Sequence, residues 1–145
     1  MRLSTKGEYG LLAIIDLALH SSEGQVQSQQ IAERQQIPKQ YLDQLMLTLK
    51  KAGLVDSSRG RQGGYALARP ARAITILEIV TALEGPLENI NFLGRTIRSK
   101  NTIREILNNY WNELFRSVVE NLQGKTLEAL CDEHKRMQNQ IMYYI

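Results

Sequence analysis

At 145 residues, 43% hydrophobic and 23% charged, the chain is sized for one domain with at most an appendage, and it is too apolar for a disordered chain. No apolar run approaches the ~18 residues of a membrane span, and Glu8 and Asp16 interrupt the apolar start without a small-residue cleavage site, so neither a membrane protein nor a secretory leader is expected. The net charge is +3 and Cys131 is the single cysteine, which excludes an internal disulfide and a multi-cysteine zinc site and makes a cytoplasmic location the simplest expectation.

Thr5 and Glu8 stand at capping-box spacing, and Leu11, Leu12, Ile15 and Leu19 fall on one face of the helix that follows. Gly24 breaks it, and Ser28 is the expected cap of a second, short helix, "QQIAERQQ". Ile37 precedes proline and is expected extended, while Pro38 suits the first turn of a third helix. That helix carries Leu42, Leu45, Met46 and Leu49 at helical spacing and stops at Gly53. "LVDSS" and "YALAR" read as short strands around a glycine-rich turn. "ITILEIVTALEG" reads as a further helix ended by Gly85. "GPLENINFLGRTIRSK" shows no period and reads as a loop with at most one helical turn. Thr102 and Glu105 repeat the capping spacing at the start of a long helix, Gly124 ends it, and Thr126 and Glu128 begin the last one.

The turn "RGRQGG", residues 59–64, admits two chemistries. A nucleotide-binding loop needs G-x-x-x-x-G-K-[ST], or G-x-G-x-x-G, ahead of a helix, so that backbone N–H groups meet the phosphates. This turn has neither spacing, lacks the lysine and runs into a strand. The order helix, helix, short turn, helix, strand, glycine-rich turn, strand is instead that of a winged helix-turn-helix, whose third helix enters the DNA major groove. Lys39, Gln40, Asp43 and Gln44 are the polar residues near the start of that helix, off its apolar stripe, and are the candidates for reading base edges. Ser28 and Tyr41, with Arg59 and Arg61 on the wing turn, are the candidates for holding the phosphate backbone. The charge agrees: residues 1–80 hold ten Lys and Arg against seven Asp and Glu, residues 81–145 hold eight of each, and residues 57–72 hold four arginines and no acid.

The blocks "MRLSTKGEYGLLAIIDLA", "IAERQQIPKQYLDQLMLTLKKAGLVDSSRGRQGGYALARP" and "ITILEIVTALEG" are similar to the bacterial winged-helix regulators that include the iron–sulfur-cluster regulator, the nitric-oxide-sensing repressor and the cysteine-metabolism repressor. The resemblance covers residues 1–85, and "GKTLEAL" resembles the start of that family's last helix. It implies a homodimeric, cytoplasmic transcription regulator with Gln40, Asp43 and Arg59 at DNA-reading positions. Many members have serine and glutamate where this chain has Gln40 and Asp43. Cluster-binding members carry three cysteines in the loop before the long helix, and some add an acidic residue of the first helix, a place Glu8 matches. Here residues 86–100 contain no cysteine, so no cofactor is expected and an iron–sulfur cluster is disfavoured.

The long helix carries an apolar stripe of Ile103, Ile106, Leu107, Tyr110, Leu114 and Val118, widened by Trp111, Phe115 and Val119. Pairing with the same helix of a second copy would bury it, and the resulting two-fold dimer would read a palindromic double-stranded operator with half-sites about 34 Å, or a multiple of that, apart. Cys131, flanked by acids with His134 one turn away, is the candidate for redox sensing, against the plainer reading of an inert, half-buried thiol. No nucleophile–base pair, metal-ligand cluster or nucleotide loop is present, so no catalytic or metal residue is named and no enzyme is expected. The expectation is a mainly α protein: a winged helix-turn-helix with a small two-stranded wing (1–84), a sensor or linker loop (85–100), and a long dimerisation helix with a C-terminal helix (101–145). Its expected function is a DNA-binding regulator, most simply a repressor. The alternatives are control by a partner protein, which would dock on residues 86–100 or on the tail "IMYYI", or by oxidation of Cys131.

Overall fold

Most of the helices begin where a polar residue can hold the backbone groups that the first turn leaves unpaired, and three are capped one residue earlier than the sequence suggests. In the computed structural model, which describes residues 3–89 and 100–144, helix α1 spans Thr5–Leu19 and is capped by Ser4, not Thr5, with the Gly7 N–H donating to Ser4 Oγ at 3.1 Å. Helix α2, Ser28–Gln35, starts after Gln27, not Ser28, and the Gln27 N–H donates to Gln30 Oε1 at 3.1 Å. Helix α5, Thr102–Gly124, is capped by Asn101, whose Oδ1 accepts from the Ile103 N–H at 3.0 Å. In each case two polar residues stand side by side. Capping with the first lets the second join the helix, and extending a formed helix is easier than starting one.

The remaining elements are α3 (Lys39–Lys51), strands β1 (Val55–Ser58) and β2 (Gly64–Leu67), α4 (Ile76–Glu84) and α6 (Leu127–Tyr143). Pro38 sits at the N-cap of α3 and not within its first turn. A 3₁₀ turn at Leu87–Asn89 is the single helical turn expected in the loop; residues 90–99 of that loop lie outside the described residues.

The core is built from Ala13, Ile14 and Leu17 of α1, Ile31 and Ala32 of α2, Leu42, Leu45, Met46 and Leu49 of α3, and Ile79, Val80 and Leu83 of α4. The buried face of α1 is rotated from the expected one. Leu12 is exposed and Leu11 and Ile15 are only half-buried, because the close contact with α4 runs along the small residues. A side chain at Gly10 would collide with Leu83, so the helices meet where α1 presents least bulk.

Strands β1 and β2 form an antiparallel hairpin with Val55 opposite Leu67 and Ser58 opposite Gly64. A third segment, absent from the sequence expectation, braces it: Val26 and Tyr65 exchange backbone hydrogen bonds of 2.9 and 2.7 Å. Gly64 (φ +152°) makes that possible, since a Cβ there would come 2.5 Å from the Val26 carbonyl oxygen.

The C-terminal helices are joined to this unit by a second short pairing, Thr75 opposite Thr126. Ile76 N–H donates to Lys125 O and Leu127 N–H to Ile74 O, both at 2.9 Å, and Leu127 lies fully buried in the same core as α1–α4. Among the described residues, no helix is long and apolar enough to cross a membrane.

Candidate nucleic-acid interface

Helix α3 has two faces. Leu42, Leu45, Met46 and Leu49 are buried, while Lys39, Gln40 and Gln44 are exposed and Asp43 is half-buried. Lys39 Nζ lies 2.9 Å from Asp43 Oδ2, one turn away, so two of the four expected base readers are engaged with each other. An exposed pair of this kind contributes only about 0.3–0.5 kcal/mol and exchanges readily for other partners. Leu47 is half exposed on the polar side of the helix, and the sequence pattern does not single it out, because it is one apolar residue beyond the buried stripe.

Tyr65 of β2 is a further residue that the sequence expectation does not include. It is half-buried beside the start of α3, and its hydroxyl is pushed above the usual phenol range, first by burial and then by the Asp43 carboxylate. The period-two pattern of "YALAR" was the available signal. Tyr41 is half-buried and packs edge-on against Tyr9 of α1, with ring centres 5.9 Å apart.

Ser28 is the first residue of α2, half-buried, next to a polar crevice of about 480 Å³. Gln27 and Gln30 line that crevice from α2, and Gln62 and Gly63 line it from the wing turn. The start of α2 and the tip of the wing therefore border one polar surface.

The basic run of residues 57–72 divides into two uses. Arg59 and Arg61 are exposed on the turn between β1 and β2 and have no ion-pair or hydrogen-bond partner among the described residues. Arg69 instead donates to Glu78 Oε1 at 2.9 Å and to the Ala73 carbonyl at 3.1 Å, bracing the wing's base against α4. Glu78 also completes the cap of α4, accepting from the Thr75 N–H at 2.9 Å, and that backbone bond, followed by Arg69, holds its carboxyl below the usual range. At the far end of α3, Lys50 donates to Ser57 Oγ of β1 at 2.6 Å.

The expected dimer residues separate along α5. Ile103, Ile106, Leu107 and Tyr110 are 49–70% exposed, Leu114 and Val118 are half-buried, and Phe115 and Val119 lean on the core. Trp111 stands with the exposed group, tilted against Tyr110 at 5.6 Å. Together they form an exposed apolar patch, the kind of surface on which interfaces are built.

Cys131 is 5% exposed on α6, and burial pushes its thiol above the usual range; Asp132 and Glu128 add to this, and Lys135, not His134, is the cation opposing it. His20 is the C-cap of α1. Among the described residues no three His, Cys, Asp or Glu lie close enough to hold a metal, and residues 90–99 contain none of these four types. Glu8 is exposed in the first turn of α1. This donor set does not fit a thiolate-held iron–sulfur cluster, which takes several cysteines.

The chain matches a family model described as Rrf2, iron-dependent transcriptional regulator, over residues 3–133. It is 38% identical over 145 residues to the HTH-type transcriptional regulator CymR of Bacillus subtilis (strain 168), covering all of both chains. Among solved structures it is similar to T. potens IscR, with a TM-score of 0.78 and 39% identity over 95% of this chain and 91% of that one. It is also similar to CymR (YrzC), the global cysteine regulator of B. subtilis, with a TM-score of 0.73 and 34% identity over 92% of this chain and 98% of that one. The open polar face of α3, the arginine-tipped hairpin beside it and these likenesses together place the chain in the Rrf2 family of winged-helix, DNA-binding transcription regulators.

Proposed function

We propose that the protein is a cytoplasmic, homodimeric repressor that occupies a palindromic operator and works without an iron–sulfur cluster. The observation that carries the reading is the unpaired Arg59 and Arg61 on the wing beside a recognition helix whose polar face is free of the core. Gln40, Asp43 and Gln44, with Lys39 once released from Asp43, supply donors and acceptors for base edges. Leu47 supplies an apolar contact of the kind that a thymine methyl accepts. Arg59 and Arg61 meet phosphate or the minor groove, and the α2 start at Ser28 and Tyr41 hold the flanking backbone. Pairing of α5 with its copy through Ile103, Ile106, Leu107 and Tyr110 gives the two-fold symmetry that a palindrome requires. The likeness to regulators named IscR and CymR supports this assignment.

The test is selection of bound fragments from genomic DNA with purified protein, paired with an absorption spectrum of anaerobically prepared protein. A palindromic motif and a spectrum without visible charge-transfer bands are expected. Random fragments would remove the operator, and visible bands would remove the cluster-free assignment.

One observation favours a second reading, control by a partner protein. Ile141, Met142, Tyr143 and Tyr144 are exposed at the end of α6. Pull-down from lysate with the full chain and with a chain ending at residue 136 would separate it: a captured protein that depends on the tail supports it, and equal capture by both removes it.

A further inference from the structure

Asp16 carries the one buried charge among the described residues; it is 2% exposed, between α1 and α2. Both carboxylate oxygens are occupied. Arg34 donates from Nη2 to Oδ1 at 2.6 Å and from Nε to Oδ2 at 3.0 Å, and Gln35 donates from Nε2 to Oδ2 at 2.7 Å. His20 holds its Nδ1 2.8 Å from the Asp16 carbonyl oxygen and 3.5 Å from Oδ1. A carboxylate removed from water persists only when its lone pairs are filled this fully, and well-packed apolar residues in its place often give equal or greater stability. Stability alone therefore does not account for a charge at this position.

What the charge holds is specific. Arg34 and Gln35 are the last two residues of α2. Directly after them comes Gln36, with φ 55° and ψ 43°, the one non-glycine residue of positive φ among the described residues. That conformation is strained for an ordinary side chain and survives where its surroundings hold it. Ile37 follows, buried, its N–H donating to Ala32 O at 3.0 Å, and Pro38 leads into α3. The direction in which α3 leaves is thus set within the turn at residues 36–38. Asp16 pins that turn from upstream, and Ile37 pins it from within.

We propose that Asp16 is a positioning residue for DNA recognition: by clamping Arg34 and Gln35 it fixes the α2–α3 turn, and with it the angle at which Gln40, Asp43 and Gln44 meet the bases. The inference rests on the DNA-binding reading of α3. Asp16 itself is buried and does not touch the duplex. Base-edge hydrogen bonds are lost on a small rotation of the helix, whereas the wing arginines' contacts to phosphate tolerate it. The signature is therefore loss of sequence discrimination with non-specific binding preserved.

The experiment is an anisotropy titration of the full-length protein, well below its melting temperature. It uses two duplexes at equal salt: one recovered from genomic fragments that the wild-type protein selects, and one of the same composition shuffled. Asp16→Asn is expected to lower the ratio of specific to non-specific affinity by about tenfold or more, with non-specific affinity and salt slope unchanged. Gln35→Met removes one donor and leaves the ion pair, and is expected to lower the ratio by about threefold. If Asp16→Asn does not fold, Gln35→Met decides alone, and an unchanged ratio overturns the proposal. The apolar triple Asp16→Leu/Arg34→Met/Gln35→Met separates positioning from packing. A recovered melting temperature with a low ratio supports the proposal; a ratio that recovers along with it overturns the proposal. If the wild-type protein does not distinguish the two duplexes, it is the DNA-binding reading that fails.

Discussion

Helices α3 and α5 are both amphipathic, yet α3 buries all four residues of its apolar stripe within its own chain and α5 fully buries none. The first stripe is narrow and is closed over by α1, α2 and α4. The second is wide: Phe115 and Val119 rest on the core, while Ile103, Ile106, Leu107 and Tyr110 face outward. The contrast teaches that a hydrophobic period states only that a face must be covered, not by which chain. In α3 the cover is intramolecular and frees the polar face for a ligand. In α5 the described residues of this chain supply no cover for the outward part, and in the proposed dimer a second copy would supply it from outside.

The largest effect should come from breaking that outside cover. Ile106→Asp together with Tyr110→Asp is expected to yield monomers in analytical ultracentrifugation and to weaken operator binding by about 10²–10⁴-fold, the effective-concentration advantage of two linked half-sites. A dimer that persists would send the stripe to another partner. Next, Leu127→Ala strikes the place where the C-terminal half enters the DNA-binding core. A loss of about 2–5 kcal/mol in chemical denaturation is expected, against about 0.5 kcal/mol for an exposed residue such as Leu107→Ala in the monomeric variant. Arg59→Ala should weaken binding while lowering the salt slope by about 0.9, the signature of one lost phosphate contact; an identical slope would place this side chain off the backbone.

Smaller effects sharpen the picture of how the wing is held. Glu78 is ionised below the usual carboxylate range in the folded protein, so its contribution is present above the ordinary carboxylate pKa and is lost as pH falls through the lowered one. Glu78→Gln should therefore flatten the decline of stability below about pH 4 and leave neutral DNA affinity nearly unchanged. Cys131→Ser should leave DNA binding and its response to peroxide as they were, because a buried thiol held in its protonated form is a poor nucleophile. A lost response would make this thiol the sensor.

The sequence shows the element order, the polar face of α3 and the position of the wing turn, because each depends on local spacing and on glycine or proline within a few residues. It misplaces the caps of α1, α2 and α5 by one position, where adjacent polar residues compete on nearly equal terms. It rotates the buried face of α1, since Gly7 and Gly10 carry the contact with α4 without looking hydrophobic. The pairing of Val26 with Tyr65 and the meeting of Asp16 with Arg34 join residues far apart in the chain, where no local period reaches.

The joint of Thr75 with Thr126 bears on how such regulators recombine. Leu127 fills the core beneath the winged helix while belonging to the C-terminal half. A chimera that borrows residues 1–84 from one relative and the remainder from another inherits a plug cut for a different socket. Functional swaps of DNA specificity should succeed when residues 125–131 travel with the winged helix, and should otherwise give proteins that assemble poorly before any operator is offered to them.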